Sequence, residues 1–378
     1  MAFPRITAYP IGCADTLRID MRDGRKVLVD YADKRNPNDS NDKRIDLPAE
    51  LRNDLRLAKR DFFDVVVFTH LDDDHVCGTS KFFWLDHAAK YQGQDRIKIK
   101  ELWVPAGVLT EMGCEECARA IRQEARYRMR QGFGIRVFSR PDALNEWFRK
   151  ENIAPSSRRH LITDAGNLVP GFSKNDSGGV EFFIHAPFGW RRNEREVENR
   201  NQDSVVFQAT FREGGFDTRA MFTADVDEDG LGLIVDISKR YGNQDRLLWD
   251  IMKISHHSSY LSLAKLGNKG MDETVPTPDV KWLFEEGGQA GAILLSSSKP
   301  IPEKNTAEDR DVQPPHRQAA NYYRRIAKLK NGRFEVTMER TRATPKPTTI
   351  EITSRGAAVL SQVSAPAVVV STTPMRAG

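Results

Sequence analysis

The hydrophobic pattern divides the chain into short strands and amphipathic helices. At 65–68 the run Val65, Val66, Val67, Phe68 is wholly apolar. A run so short and so rich in β-branched residues predicts a strand buried on both faces. Upstream, residues 6–30 read ITAYPIG, TLRIDM and KVLVDY with tight turns between them, Gly24 in the second, and predict two or three strands. Leu51, Leu55 and Ala58 fall at helical spacing behind Pro48, so 47–59 predicts a helix. Thr79 or Ser80 can cap another, with Phe82, Phe83, Leu85 and Ala89 on its inner face and His87 half-exposed at the surface. Residues 97–104 predict a further strand.

The middle of the chain changes character. Residues 111–159 predict a long helix, GCEECARAIRQEARYRMRQG, and a second, ALNEWFRKENI. On the first, Ala118, Ile121, Ala125 and Met129 form an apolar stripe, and Arg119, Arg122, Arg126 and Arg130 form a basic one beside it. Strands return as GVEFFIHAP, DSVVFQATF and RAMFTADV, the last two joined by a Gly214-Gly215 hairpin turn. A short strand over 252–255, another over 292–296, a helix over 317–330 and two strands within 334–353 follow. From Gly356 the chain turns to Ala, Val, Ser, Thr and Pro, which predicts a flexible tail over 359–378.

Composition narrows the class only slightly. The 378 residues are 39% hydrophobic and 29% charged, as in an ordinary globular protein. No apolar run is long enough to span a bilayer and the N-terminus lacks a signal-like segment, so the expected location is the cytoplasm, away from membranes. Four cysteines (Cys13, Cys77, Cys114, Cys117) are too few for a disulfide framework, and Cys114 and Cys117 make one CxxC without a second pair to close a zinc site. The net charge of +4 hides an asymmetry: residues 118–159 carry eleven Lys or Arg against four Asp or Glu, a local +7 that leaves −3 elsewhere. A basic face of that kind suits an anionic ligand.

The chemistry concentrates after Phe68. His70, Asp72, Asp73, Asp74 and His75 occupy five of six successive positions beyond Thr69. Such groups packed into one turn repel and desolvate one another unless cations neutralise them. This His-x-Asp-x-Asp-His run resembles the signature of the metallo-β-lactamase superfamily. Asp in its second slot is similar to the soluble domain of ComEC-type competence proteins. Further segments match in order: the Gly12-Cys13-Ala14-Asp15 loop, Asp30 at a strand end, Asn201-x-x-Ser204 before a strand, MFTADV ending at Asp225, His256-His257 after a strand, and Asn305 with His316. Ser258 stands where the family usually has Gly, which predicts an altered loop.

The resemblance implies an α/β fold, the αββα sandwich, as one domain over 1–358 with a helical Arg-rich insertion at about 107–175. It implies two divalent metal ions, zinc or manganese with magnesium possible: His70 and Asp72 on one, Asp74, His75 and either His256 or His257 on the other, Asp225 bridging. A third histidine for the first ion has only His160 and His185 as candidates, and His185 reads as a buried structural residue. Asp74 and His257 are the expected catalytic residues, the paired histidines sharing metal binding with phosphate positioning or protonation. Lys253, His316, Arg122 and Arg126 are the expected substrate contacts. The implied activity is metal-dependent phosphodiester hydrolysis, foremost by a DNA nuclease; because such an enzyme free in the cytoplasm would endanger its host, restraint by a partner protein or by the tail, as in phage defence, is expected. A small phosphodiester, or binding without catalysis, are the alternatives.

Overall fold

A computed structural model describes residues 3–114, 116–188, 200–265, 270–339 and 344–360. It is a mixed α/β structure with two sheets. Sheet one contains β1 (Arg5–Ala8), β2 (Leu17–Asp20), β3 (Lys26–Val29), β4 (Phe62–Val67), β5 (Lys98–Pro105), β6 (Ile135–Phe138), β7 (Ile162–Thr163), β14 (Thr348–Thr353) and β15 (Gly356–Val359). Their order is β15-β14-β1-β2-β3-β4-β5-β6-β7. Sheet two contains β8 (Val180–Ala186), β9 (Val206–Glu213), β10 (Phe216–Phe222), β11 (Trp249–Lys253), β12 (Gly288–Ser296) and β13 (Arg333–Val336), in the order β13-β12-β11-β10-β9-β8.

Strands β3 to β7 run parallel, as do β10 to β13. Parallel neighbours need crossovers, and most are helical. In sheet one these are α1 (Leu47–Leu57), the short α2 (Asp73–Val76) and α3 (Thr79–Phe82), α4 (Gly107–Thr110), α5 (Glu116–Gln131) and α6 (Asp142–Lys150). In sheet two they are α7 (Glu228–Arg240), α8 (Pro278–Glu285) and α9 (Arg317–Leu329). The Gly214-Gly215 turn joins β9 and β10 as expected, both glycines in the left-handed region that tight hairpins require.

Three apolar layers hold this together. Ile6, Ile19, Val65 and Val67 of sheet one meet Phe182, Phe207, Phe222 and Ile293 of sheet two between the sheets. Leu51, Phe63, Val66, Ile121 and Phe148 form the layer under the helices of sheet one. Met221, Ile234, Leu283, Leu294 and Tyr322 form the one under those of sheet two. Helix α1 illustrates the local logic. Asp46 caps it by accepting from the Ala49 amide at 3.0 Å, and Leu47, Leu51 and Leu55 all point inward. Truncating such a leucine costs about 2–5 kcal/mol.

Several expectations need correction. The segment 107–175 is not a helical insertion apart from the body. Its apolar stripe docks α5 as predicted, but the segment also supplies β6 and β7 to sheet one. The helix expected to reach Ala89 stops at Phe82, because Phe83 turns extended and bridges Ile97. The two strands expected within 334–353 are β13 and β14, but among the described residues β15 carries the chain on through Val359, into the start of the predicted tail; the rest of that tail, 361–378, lies outside the described residues. Among the described residues, no helix is long and apolar enough to cross a membrane.

Candidate metal centre

Because the central strands of both sheets are parallel, their carboxyl ends gather at one end of the sandwich. This is where open α/β sheets bind ligands. Asp30 follows β3 and the 69–75 turn follows β4. Asp225 follows β10, His256 and His257 follow β11, and Ser297 follows β12. The Val205 amide donates to the Thr69 carbonyl at 3.0 Å, tying the lead-in to β9 onto the turn.

Asp74, His75, Asp225 and His257 present ligand atoms that all lie within 4.8 Å of one another. His257 Nε2 is 3.1 Å from Asp74 Oδ2 and 3.5 Å from Asp225 Oδ2, and His75 Nε2 is 3.4 Å from Asp225 Oδ2. His75, Asp225 and His257 are buried, and Asp74 is half-buried. His256 stays at the rim, its Nε2 3.9 Å from Asp225 and its side chain 26% exposed. Of the histidine pair it is thus His257 that enters the cluster.

The second layer orients these rings. Asp30 accepts from the Thr69 amide (2.8 Å) and hydroxyl (2.7 Å), and from His75 Nδ1 (2.8 Å). His257 Nδ1 donates to the Ser297 carbonyl at 2.7 Å. His70 Nδ1 lies 3.1 Å from the Thr69 hydroxyl, whose own proton goes to Asp30. Each ring is thereby anchored through Nδ1 and turns Nε2 away from that anchor, the orientation of metal-ligating imidazoles. Nε2 of His70 and His75 and Oδ1 of Asp225 are buried without a hydrogen bond. Leaving such atoms unpaired costs about 1–3 kcal/mol each, more where charge is involved. A donor set of two imidazoles and two carboxylates fits zinc or manganese.

The charges reinforce one another. Burial alone would raise the Asp225 carboxyl, but His257 and His75 hold it well below the usual range. Burial would likewise lower His75, yet Asp225 and Asp30 hold it well above its ordinary value. The backbone is strained here too. Asp30, Ala224, His256, His257 and Ser258 all have positive φ, from 46° to 67°. Non-glycine residues in that region cost on the order of 1–3 kcal/mol each and persist where the surroundings enforce them. Ser258 therefore adopts the left-handed conformation that glycine favours, and its hydroxyl bonds Ser296 Oγ at 2.7 Å.

The remaining expected site residues separate. Asp72 accepts from Arg200 Nη1 at 2.9 Å and lies 3.6 Å from His70 Nε2, outside the four-residue cluster. Lys253 is not a substrate contact: it is buried and paired with Asp15 beneath the cluster. Burial would lower its ammonium, but Asp15 and Asp225 hold it up. His316 is mostly buried and positions the turn after His257; its amide donates to the Ser258 carbonyl at 3.1 Å and its Nδ1 accepts from the Tyr260 amide at 3.2 Å.

Arg122 and Arg126 are not free to grip a backbone. Arg122 donates to the Glu111 carbonyl at 2.9 Å and Arg126 to the Leu109 carbonyl at 2.8 Å, holding α5 against the end of α4. His185 lies edge-on to Phe183, lines a cleft of about 1090 Å³ with Arg140, Asp164 and Tyr241, and joins no metal cluster among the described residues. Its burial pushes the ring down to about 3, so it stays neutral. Ser297, Arg200 and Glu111 escaped recognition as functional residues in the sequence, whereas Asp30 reads there as the strand-end acid without a role.

In comparisons with known proteins, no family model matches the chain, and a search of curated proteins finds no match.

Proposed function

We propose that the protein is a metal-dependent phosphodiesterase of the metallo-β-lactamase type, with DNA as the substrate that the resemblance to ComEC-type domains favours. The observation that carries this reading is the convergence of Asp74, His75, Asp225 and His257 from three strand ends, with ligand atoms all within 4.8 Å of one another and His75 Nε2 and Asp225 Oδ1 buried without a hydrogen bond. These four residues would hold a divalent ion, which would supply a water of lowered pKa and a charge to polarise a phosphoryl oxygen. Asp30 and the Ser297 carbonyl fix the His75 and His257 rings. His256, at the rim, is the imidazole placed to position the phosphate or carry a proton to the leaving oxygen.

A small phosphodiester is the second reading, and one observation favours it. Arg122 and Arg126 are spent on carbonyls, which removes half of the basic stripe from any grip on a long backbone. The test offers plasmid, oligonucleotides, a cyclic dinucleotide and bis(p-nitrophenyl) phosphate in Mn²⁺, Mg²⁺ or Zn²⁺, beside Asp225→Asn and His75→Ala. Hydrolysis that both variants abolish supports the reading, and the preferred substrate decides its form. Wild type and variants indistinguishable on every diester would end it.

A further inference from the structure

The first-ion position differs from the second in what surrounds it. Asp74, His75, Asp225 and His257 converge above the Lys253 ammonium, whose ion pair is with Asp15. Asp72 has a cation bonded to it directly: Arg200 Nη1 donates to its Oδ1 at 2.9 Å and to the Leu71 carbonyl at 3.1 Å. The same guanidinium donates Nε to Glu111 Oε1 at 2.7 Å and Nη2 to the same oxygen. Burial would lower the Arg200 guanidinium, but Glu111 and Asp72 hold it above its ordinary value, so it is a fixed positive charge. The Ser204 hydroxyl bonds the Arg200 carbonyl at 3.2 Å, anchoring the residue to the start of β9.

We propose that the centre takes a single divalent ion, on Asp74, His75, Asp225 and His257, and that the Arg200 guanidinium stands in for a second ion beside Asp72. This rests on the metal-centre reading above and deepens it. A second ion on His70 and Asp72 would lie within a few ångströms of a guanidinium already bonded to that carboxylate, and like charges that close disfavour each other. It would also be short of ligands. All eight histidines of the sequence are among the described residues, and none supplies a third imidazole: His185 belongs to the separate cleft, and His160 lies outside, Nε2 3.4 Å from the Gly132 carbonyl. With Asp72 committed to Arg200, the carboxylates left in the cluster are Asp74 and Asp225, whose two negative charges match one divalent ion. Asp72 and Arg200 are then positioning residues that hold the turn bearing His70.

Metal content is the readout, independent of activity. Full-length protein is loaded with excess Mn²⁺ or Zn²⁺, desalted and counted by inductively coupled plasma mass spectrometry, with folding of each variant checked by far-UV circular dichroism. The expected counts are one ion per chain in the wild type, one in Asp72→Asn, and a rise toward two in Arg200→Gln, where the Asp72 carboxylate is released. Two ions in the wild type, loss of the ion in Asp72→Asn, or a count still at one in folded Arg200→Gln would each overturn the inference while leaving the metal centre standing. No ion in the wild type would sink the metal-centre reading itself. If a variant fails to fold, the wild-type count alone decides between one ion and two.

Discussion

Two buried charge clusters border sheet one, and they are built on opposite terms. Under α5, Glu124 accepts from Arg128 Nε at 2.6 Å, from the His87 amide at 3.0 Å and from His87 Nδ1 at 2.9 Å. Arg128 spends its other donors on Asp86 and on the carbonyls of Gly134 (2.8 Å), Ile99 (3.1 Å) and Lys100 (3.3 Å). That network is closed. At the strand ends, by contrast, Nε2 of His70 and His75 and Oδ1 of Asp225 are equally buried and have no hydrogen bond. Native proteins rarely leave buried polar atoms unpaired. The closed network reads as structure, and the open one brings together ligand-type atoms close enough to hold a metal ion.

The comparison can be broken most severely at Glu124. Replacing it with alanine leaves Arg128 Nε, the His87 amide and His87 Nδ1 without their buried acceptor, and removing one partner of a buried pair costs about 3–5 kcal/mol. Chemical denaturation should show that loss while the metal content of the folded protein stays unchanged; a fall in metal content would mean the two clusters are not separate. Asp30→Asn works the other way. It weakens the acceptor that orients His75, and outer-layer changes of this kind cost about 10–100-fold in metal affinity or activity. Isothermal titration with Mn²⁺ would register it, and an unchanged affinity would remove Asp30 from the account.

A smaller effect is expected at Arg122. Its alanine variant leaves the Glu111 carbonyl without that donor, at about 1–3 kcal/mol. A thermal melt should move, while the salt dependence of any DNA binding should not. A flattened salt dependence with an unmoved melt would restore Arg122 as a nucleic-acid contact. The gentlest probe is pH. Burial would raise the Glu124 carboxyl, but the hydrogen bond from His87 and the charge of Arg128 hold it below its usual value. A depressed folded pKa contributes stability that is fully present above the unfolded value of about 4.3 and is lost as pH falls through the folded one. Wild type should therefore lose more stability than Glu124→Gln on acidification below about pH 4.3, and parallel curves would contradict the assignment.

What was legible in the sequence was what neighbouring residues decide among themselves. The strand at Val65 and the His70–His75 turn are contiguous, so their chemistry shows in one window. The Gly214-Gly215 hairpin and the inward leucines of α1 are local for the same reason. Helical spacing correctly put Arg122 and Arg126 on one face of α5, but spacing cannot say what that face meets, and here it meets the carbonyls ending α4. Strand β6 was hidden because Arg136 interrupts IRVF; the arginine is nonetheless buried, donating to Thr163 Oγ1 at 3.1 Å. Arg200 and Glu111 were invisible because they meet across 89 positions of chain, through a pairing that only the fold creates.

The most direct measurement is anomalous diffraction from crystals grown with Mn²⁺ or Zn²⁺. The account predicts an anomalous peak within coordination distance of Asp74, His75, Asp225 and His257, with His256 at its edge. A peak elsewhere on the molecule with those four side chains bare, or no peak at saturating metal, would contradict it.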